Sequence, residues 1–166
     1  MKTSISIISV IVFVSFFPVF NTLLAKDVEF NGFSLWMPDD YIFHEFQDEG
    51  AIAFESKSNT MRVVVVKSVP QAFGIQKQID KHKDLLGTGN WSEPKLSTIN
   101  GLNAYMSISL LHRPEGIFGG TIIYFCVPGD TFGSNPTITL LLMASGTERD
   151  IRDTSQIIQS VKLISK

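Results

Sequence analysis

"TITLLLMAS", Thr137–Ser145, decides how this chain folds. A strand with one wet face alternates apolar and polar residues, because successive side chains point to opposite sides of the sheet. Here Leu140, Leu141, Leu142 and Met143 follow one another without a polar break. "GTIIYFCV" (Gly120–Val127) and the Val63–Val66 run inside "TMRVVVVKSV" (Thr60–Val69) have the same character. Strands of this kind are covered on both faces, so other structure must lie above and below them.

Two stretches of helical period can supply the cover. From Gln71 to Leu86, the residues Ala72, Ile75, Ile79, His82 and Leu86 fall three or four apart, and Gly87 follows as a stop. Thr147-Glu148-Arg149-Asp150 resembles a capping box with Asp in place of Glu. It opens a helix to about Lys162, with Ile151, Thr154, Ile158 and Val161 along one side. Asn100-Gly101 joins Lys95–Ile99 to Leu102–Leu111 as a hairpin, since both turn residues accept positive φ. Val28–Met37 and Ala51–Glu55 read as two further strands around a polar, turn-containing stretch. The expected fold is α+β: a three-layer α/β/α sandwich with a mainly antiparallel central sheet and helices on both faces.

Residues 1–25 stand outside this domain. Lys2 is the only charge before Lys26, Ile5–Phe20 is almost wholly apolar, and Pro18, Asn21 and Thr22 precede Leu23-Leu24-Ala25. That order describes a secretory signal peptide cleaved after Ala25, leaving 26–166 as one domain without a membrane span. An uncleaved anchor is the competing reading, because Ile5–Ala25 is just long enough to cross a bilayer. One cysteine, Cys126, cannot form an internal disulfide. Its apolar strand makes it a small buried hydrophobe, not a nucleophile. Asn90-Trp91-Ser92 matches the glycosylation acceptor pattern, a triplet frequent by chance.

The order of elements resembles the PsbP-like family (Mog/PsbP/DcrB type) over Phe30–Ile164. The residues that carry the likeness are "GFSLWMPDDY" (Gly32–Tyr41), "INGLNAYMSISLL" (Ile99–Leu111) and "IIQSVKLI" (Ile157–Ile164). These motifs are structural, so the resemblance implies the sandwich fold and an exported bacterial-type member but carries no functional residue across. It implies no lipid anchor either, because the chain lacks a lipid-attachment cysteine at the cleavage position.

Charge narrows the partners. Asp27–Ser56 holds eight acidic residues and no Lys or Arg, whereas twelve basic residues face eight acidic ones from Lys57 onward. An acidic first third excludes a nucleic-acid footprint and suits a basic protein partner or a weak cation site at Asp39 and Asp40. Pro38 closes a strand, and Asp39 and Asp40 suit the turn that follows. A hydrolase built on Asp39, Asp40 and His44 is the enzyme-class alternative, but adjacent carboxylates seldom face each other across a substrate. Trp36 reads as a core anchor at the sheet margin. His44, His82 and His112 have no metal-type spacing, and no phosphate loop or nucleophile elbow is present.

What remains is surface. "HRPEGIFGG" (His112–Gly120) reads as a loop carrying Ile117 and Phe118, and "PGDTFGSNP" (Pro128–Pro136) as a longer one holding Phe132. Phe118 is either a partner anchor at a loop tip or an aromatic folded back over the sheet edge. The expectation is an exported, non-enzymatic binding or assembly module of the cell envelope, periplasmic or secreted, that needs no cofactor. Its candidate contacts are Ile117 and Phe118 with the acidic pair Asp48 and Glu49; a small-ligand or cation binder using the acidic third is the alternative.

Overall fold

The computed structural model describes residues 25–46, 50–69, 74–131 and 133–164. The chain runs β1 (Ala25–Phe30), β2 (Phe33–Pro38), β3 (Tyr41–Phe46), β4 (Ala51–Ser56), β5 (Met61–Lys67) and then α1 (Ile75–Leu86). It continues through β6 (Lys95–Ile99), β7 (Leu102–Arg113), β8 (Gly116–Cys126), β9 (Ile138–Ala144), α2 (Glu148–Ser160) and β10 (Lys162–Leu163). A seven-stranded sheet has the order β3-β4-β5-β9-β8-β7-β6, and a three-stranded sheet has the order β1-β2-β10. Every ladder among the described residues is antiparallel. The protein is α+β, with two helices among the described residues.

The unbroken apolar runs are explained by two separate cores. Leu140 and Leu142 of β9, with Ile123 and Phe125 of β8, belong to one buried cluster. Their alternates Leu141, Met143, Ile122, Tyr124 and Cys126 belong to another. The second cluster receives Ile79 and Leu86 from α1. The first receives Ile157 and Ile158 from α2, but also Phe33, Leu35 and Met37 from β2. Half of the expected cover is therefore a small sheet as well as a helix. Each fully buried side chain of this size contributes about 1.5–3 kcal/mol, so residues hidden on both sides make these strands the fold's anchor.

Three sequence expectations change. Val28–Met37 is a hairpin, not one strand: Asn31 (φ 48°) and Gly32 (φ 80°) turn the chain so that Phe30 faces Phe33. It is the same signal that correctly marks Asn100-Gly101, where Ile99 faces Leu102. Tyr41–Phe46, read as polar connection, is the outermost strand of the large sheet. "HRPEGIFGG" is not a long loop, because Arg113 pairs with Gly116 and only Pro114 and Glu115 stand between β7 and β8.

The last helix buries Ile158, and Val161 just past its end, as expected, but turns Ile151 outward. Thr147 caps it as expected, accepting the Asp150 N–H at 3.1 Å. The buried residues are Asp150, Asp153, Ile157 and Ile158, while Ile151 is 40% exposed. Apolar periodicity missed this because two inward positions are acidic. Asp150 accepts hydrogen bonds from the Thr60 hydroxyl (3.0 Å) and the Ser145 hydroxyl (2.5 Å), which removes the penalty of burying it bare. Asn100 ties the hairpin to this helix, its amide donating to the carbonyls of Gln159 and Val161, both at 2.8 Å.

Candidate binding cleft

The second carboxylate after Pro38, Asp40, is structural. Arg149 of α2 donates to both oxygens of Asp40, each at 2.6 Å, and its Nε reaches Asp153 at 3.3 Å. The hydrogen bond from Arg149 holds the Asp40 carboxyl below the usual carboxylate range. The Tyr41 hydroxyl donates to Asp153 at 3.2 Å, and burial together with Asp153 pushes its pKa up. This chain of contacts fastens the β2–β3 turn to the start of α2. His44 lies 4.0 Å from Glu55, which also pairs with Arg62 at 2.7 Å. Asp40 and His44 thus have different partners, and Asp39 is exposed on the turn. The geometry gives no support to a hydrolytic centre on these three residues. Both Asp40 oxygens already face a guanidinium, which fills the place a cation would take. Among the described residues, no three His, Cys, Asp or Glu side chains are grouped as metal ligands.

A concave feature among the described residues lies between β1 and the β3–β4 pair. A cleft of about 390 Å³ is lined by Lys26–Phe30 of β1, Phe43 of β3, and Gly50, Ala51, Ile52 and Phe54. Phe43 and Phe54 are cross-strand partners with ring centroids 5.3 Å apart. Phe54 is 4% exposed and belongs to the core, whereas Phe43 is 51% exposed. Asp27 and Glu29 are exposed beside it. The result is an apolar floor whose margin carries two exposed acids, Asp27 and Glu29, and one exposed cation, Lys26.

The residues singled out from sequence are dispersed. Ile117 is 59% exposed and pairs with His112 near the end of the β7–β8 hairpin. Phe118 is not a surface anchor: it is 8% exposed and packs into the cluster that holds Ile79, Leu86 and Leu111. Strand alternation accounts for the difference, since neighbouring residues on β8 point to opposite faces. Asp48, Glu49 and Phe132 lie outside the described residues. Trp36 is partly buried against the first core, with its backbone N–H donating to Ser160 at 2.8 Å. Sequence reasoning missed Phe43, because without the β3 strand assignment "YIFHEF" gave no reason to separate an exposed Phe from a buried one.

Cys126 is 1% exposed in the α1-side core. Cys126→Ala should fold and lower stability by about 1 kcal/mol through lost packing, measured by urea denaturation. A loss above 3 kcal/mol would show that the thiol does more than fill space.

No protein-family model matches the chain, and no curated protein sequence matches it. Solved structures do match. LpqN, described as involved in cell envelope biogenesis of Mycobacterium tuberculosis, aligns with a TM-score of 0.53 at 15% identity, over 86% of this chain and 92% of that one. The Saccharomyces cerevisiae Ran-binding protein Mog1p aligns with a TM-score of 0.50 at 9% identity, over 85% and 96%. A Bacteroides thetaiotaomicron structure aligns at 0.54 and 13% identity over 81% of this chain, which spans about half (46%) of its length. At these identities the likeness concerns the fold. The chain shares the fold of Mog1p and LpqN, in agreement with the PsbP-like resemblance in its sequence.

Proposed function

We propose that this chain is an exported, non-catalytic module that binds a protein partner in the cell envelope, seating it on the cleft beside Phe43. The observation that carries the reading is Phe43 itself, a half-exposed aromatic held against a buried one over an apolar floor. Aromatic side chains in such settings dominate interface energies. The exposed acids Asp27 and Glu29 beside the cleft suit a basic partner. Fold neighbours that are described by Ran binding and by envelope biogenesis support a binding role over a reaction. Export rests on the signal pattern of residues 1–25, with a mature chain of 26–166 that is periplasmic or secreted. In that mature form the large sheet is the middle layer of a PsbP-like sandwich with a helix on each face.

Phe43→Ser should weaken partner capture by about 2 kcal/mol, roughly 30-fold, while lowering stability by less than about 1 kcal/mol. Quantitative copurification of the full chain and its variant, with thermal melts alongside, checks both halves. Unchanged capture by the folded variant would remove the cleft from the interface.

A further inference from the structure

The cleft is asymmetric in a way that specifies how it is filled. Five consecutive residues of β1, Lys26 to Phe30, line it, so β1 meets the cleft with its edge. From the large sheet, Phe43, Ile52 and Phe54 line it, and all three belong to the face that carries the first core. β1 is also the outermost strand of its sheet, with no ladder partner on its far side among the described residues. An open strand edge beside the half-exposed Phe43, above the buried Ile52 and Phe54, is a vacancy for one more strand.

The register fixes which groups face that vacancy. Phe30 and Phe33 flank a two-residue turn and are the hydrogen-bonded closing pair of the hairpin. Bonded and non-bonded pairs then alternate along the ladder. Val28 and Lys26 bond to β2, and the backbone N–H and C=O groups of Asp27 and Glu29 are left for the open edge. Pro38, opposite Ala25, falls at a non-bonded position, as a residue without an N–H requires. The side chains alternate too: Val28 and Phe30 pack against the core, and Asp27 and Glu29 are exposed.

The geometry points to β-strand addition: an extended segment of the partner pairs antiparallel with the open edge of β1, placing alternate apolar residues against Phe43 above Ile52 and Phe54 and alternate Lys or Arg residues opposite Asp27 and Glu29. This deepens the protein-binding reading and rests on it. Charge selects the occupant. A second copy of β1 paired antiparallel would set Asp27 against Glu29 of the other molecule, and like charges directly opposite are destabilising. A segment with cations at those positions gains from the same contacts. In a mature chain that begins at Lys26, five residues of β1 remain (Lys26 to Phe30), enough for a partner strand of about 17 Å.

The test uses a fluorescent seven-residue peptide of alternating Lys and Val, titrated into the purified full chain by anisotropy and followed by amide hydrogen exchange. Saturable binding with new protection at the Asp27 and Glu29 amides is expected. Binding should fall at least 10-fold for the same peptide with Glu in place of Lys, and for one N-methylated at the lysine backbone nitrogens. Asp27→Lys/Glu29→Lys should reverse the preference toward the Glu peptide, and Asp27→Asn/Glu29→Gln should weaken the Lys peptide without reversal. Equal binding of the N-methylated peptide, or no binding of the Lys peptide, overturns strand addition. So does a concentration-dependent dimer in which these amides are already protected. If the Lys peptide fails while Phe43→Ser still disrupts partner capture, strand addition falls and the protein-binding reading stands.

Discussion

Phe118→Ser should lower the unfolding free energy by on the order of 4 kcal/mol, the cost of removing a buried phenylalanine and leaving a hydroxyl in its place. Phe118 lies in the core beneath α1, cross-strand from Leu111, with Ile79, Leu86 and Ile122 in the same cluster. The helix has few other apolar residues with which to hold its place. Its buried set is Gln78, Ile79, His82 and Leu86, so losing an apolar surface beneath it should loosen the whole element. The neighbouring Ile117→Ser, at a 59% exposed position, should cost less than about 1 kcal/mol. Urea denaturation of the pair separates the two. Equal, small losses would mean that Phe118 is a surface residue and that β8 has the opposite facing.

His82→Leu should flatten the acid limb of the stability profile. His82 is 3% exposed on the inner side of α1, and its Nδ1 has no hydrogen-bond partner among the described residues. Burial, with Lys81 adding to it, pushes the pKa from 6.5 down to about 4. Between those values the unfolded chain takes up a proton that the folded chain refuses. Stability therefore holds in full above about pH 6.5 and declines as pH falls toward 4. The full contribution is on the order of 3 kcal/mol. The leucine variant has no such proton to take up, so its advantage over the natural chain should grow between pH 6.5 and 4.5. Parallel profiles for the two proteins would show that the imidazole is protonated in the folded state.

How far the sequence could be read follows from which residues carried a period. The runs at Val63–Val66, Ile122–Val127 and Leu140–Ala144 announced two covered faces because burial on both sides leaves no polar residue in the strand. Asn100-Gly101 and the Thr147 cap were legible because their chemistry is local. Asn31-Gly32 carried the same local signal, but apolar residues on either side of it read as one long strand. Part of the facing of α2 was hidden because Asp150 and Asp153 occupy inward positions, and their partners Thr60 and Tyr41 are distant in sequence. For the same reason the fate of Asp40 depended on Arg149, over a hundred residues away. Surface function was the least legible part. Phe43 and Phe118 are both aromatic residues in short polar-flanked stretches. Only the strand pairing shows that one is half-exposed over a cleft and the other is sealed beneath a helix.

The most direct test of the central claim is site-specific photo-crosslinking in the cell, with a photoreactive phenylalanine analogue placed at Phe43 and, as a control, at Leu96. Leu96 is 59% exposed on β6, the opposite edge strand of the large sheet, so it matches Phe43 in exposure but not in surroundings. The account predicts a discrete crosslinked protein from position 43, lost when Asp27→Lys/Glu29→Lys is added, and no specific product from position 96. A discrete partner captured from position 96 but not from position 43 would contradict it.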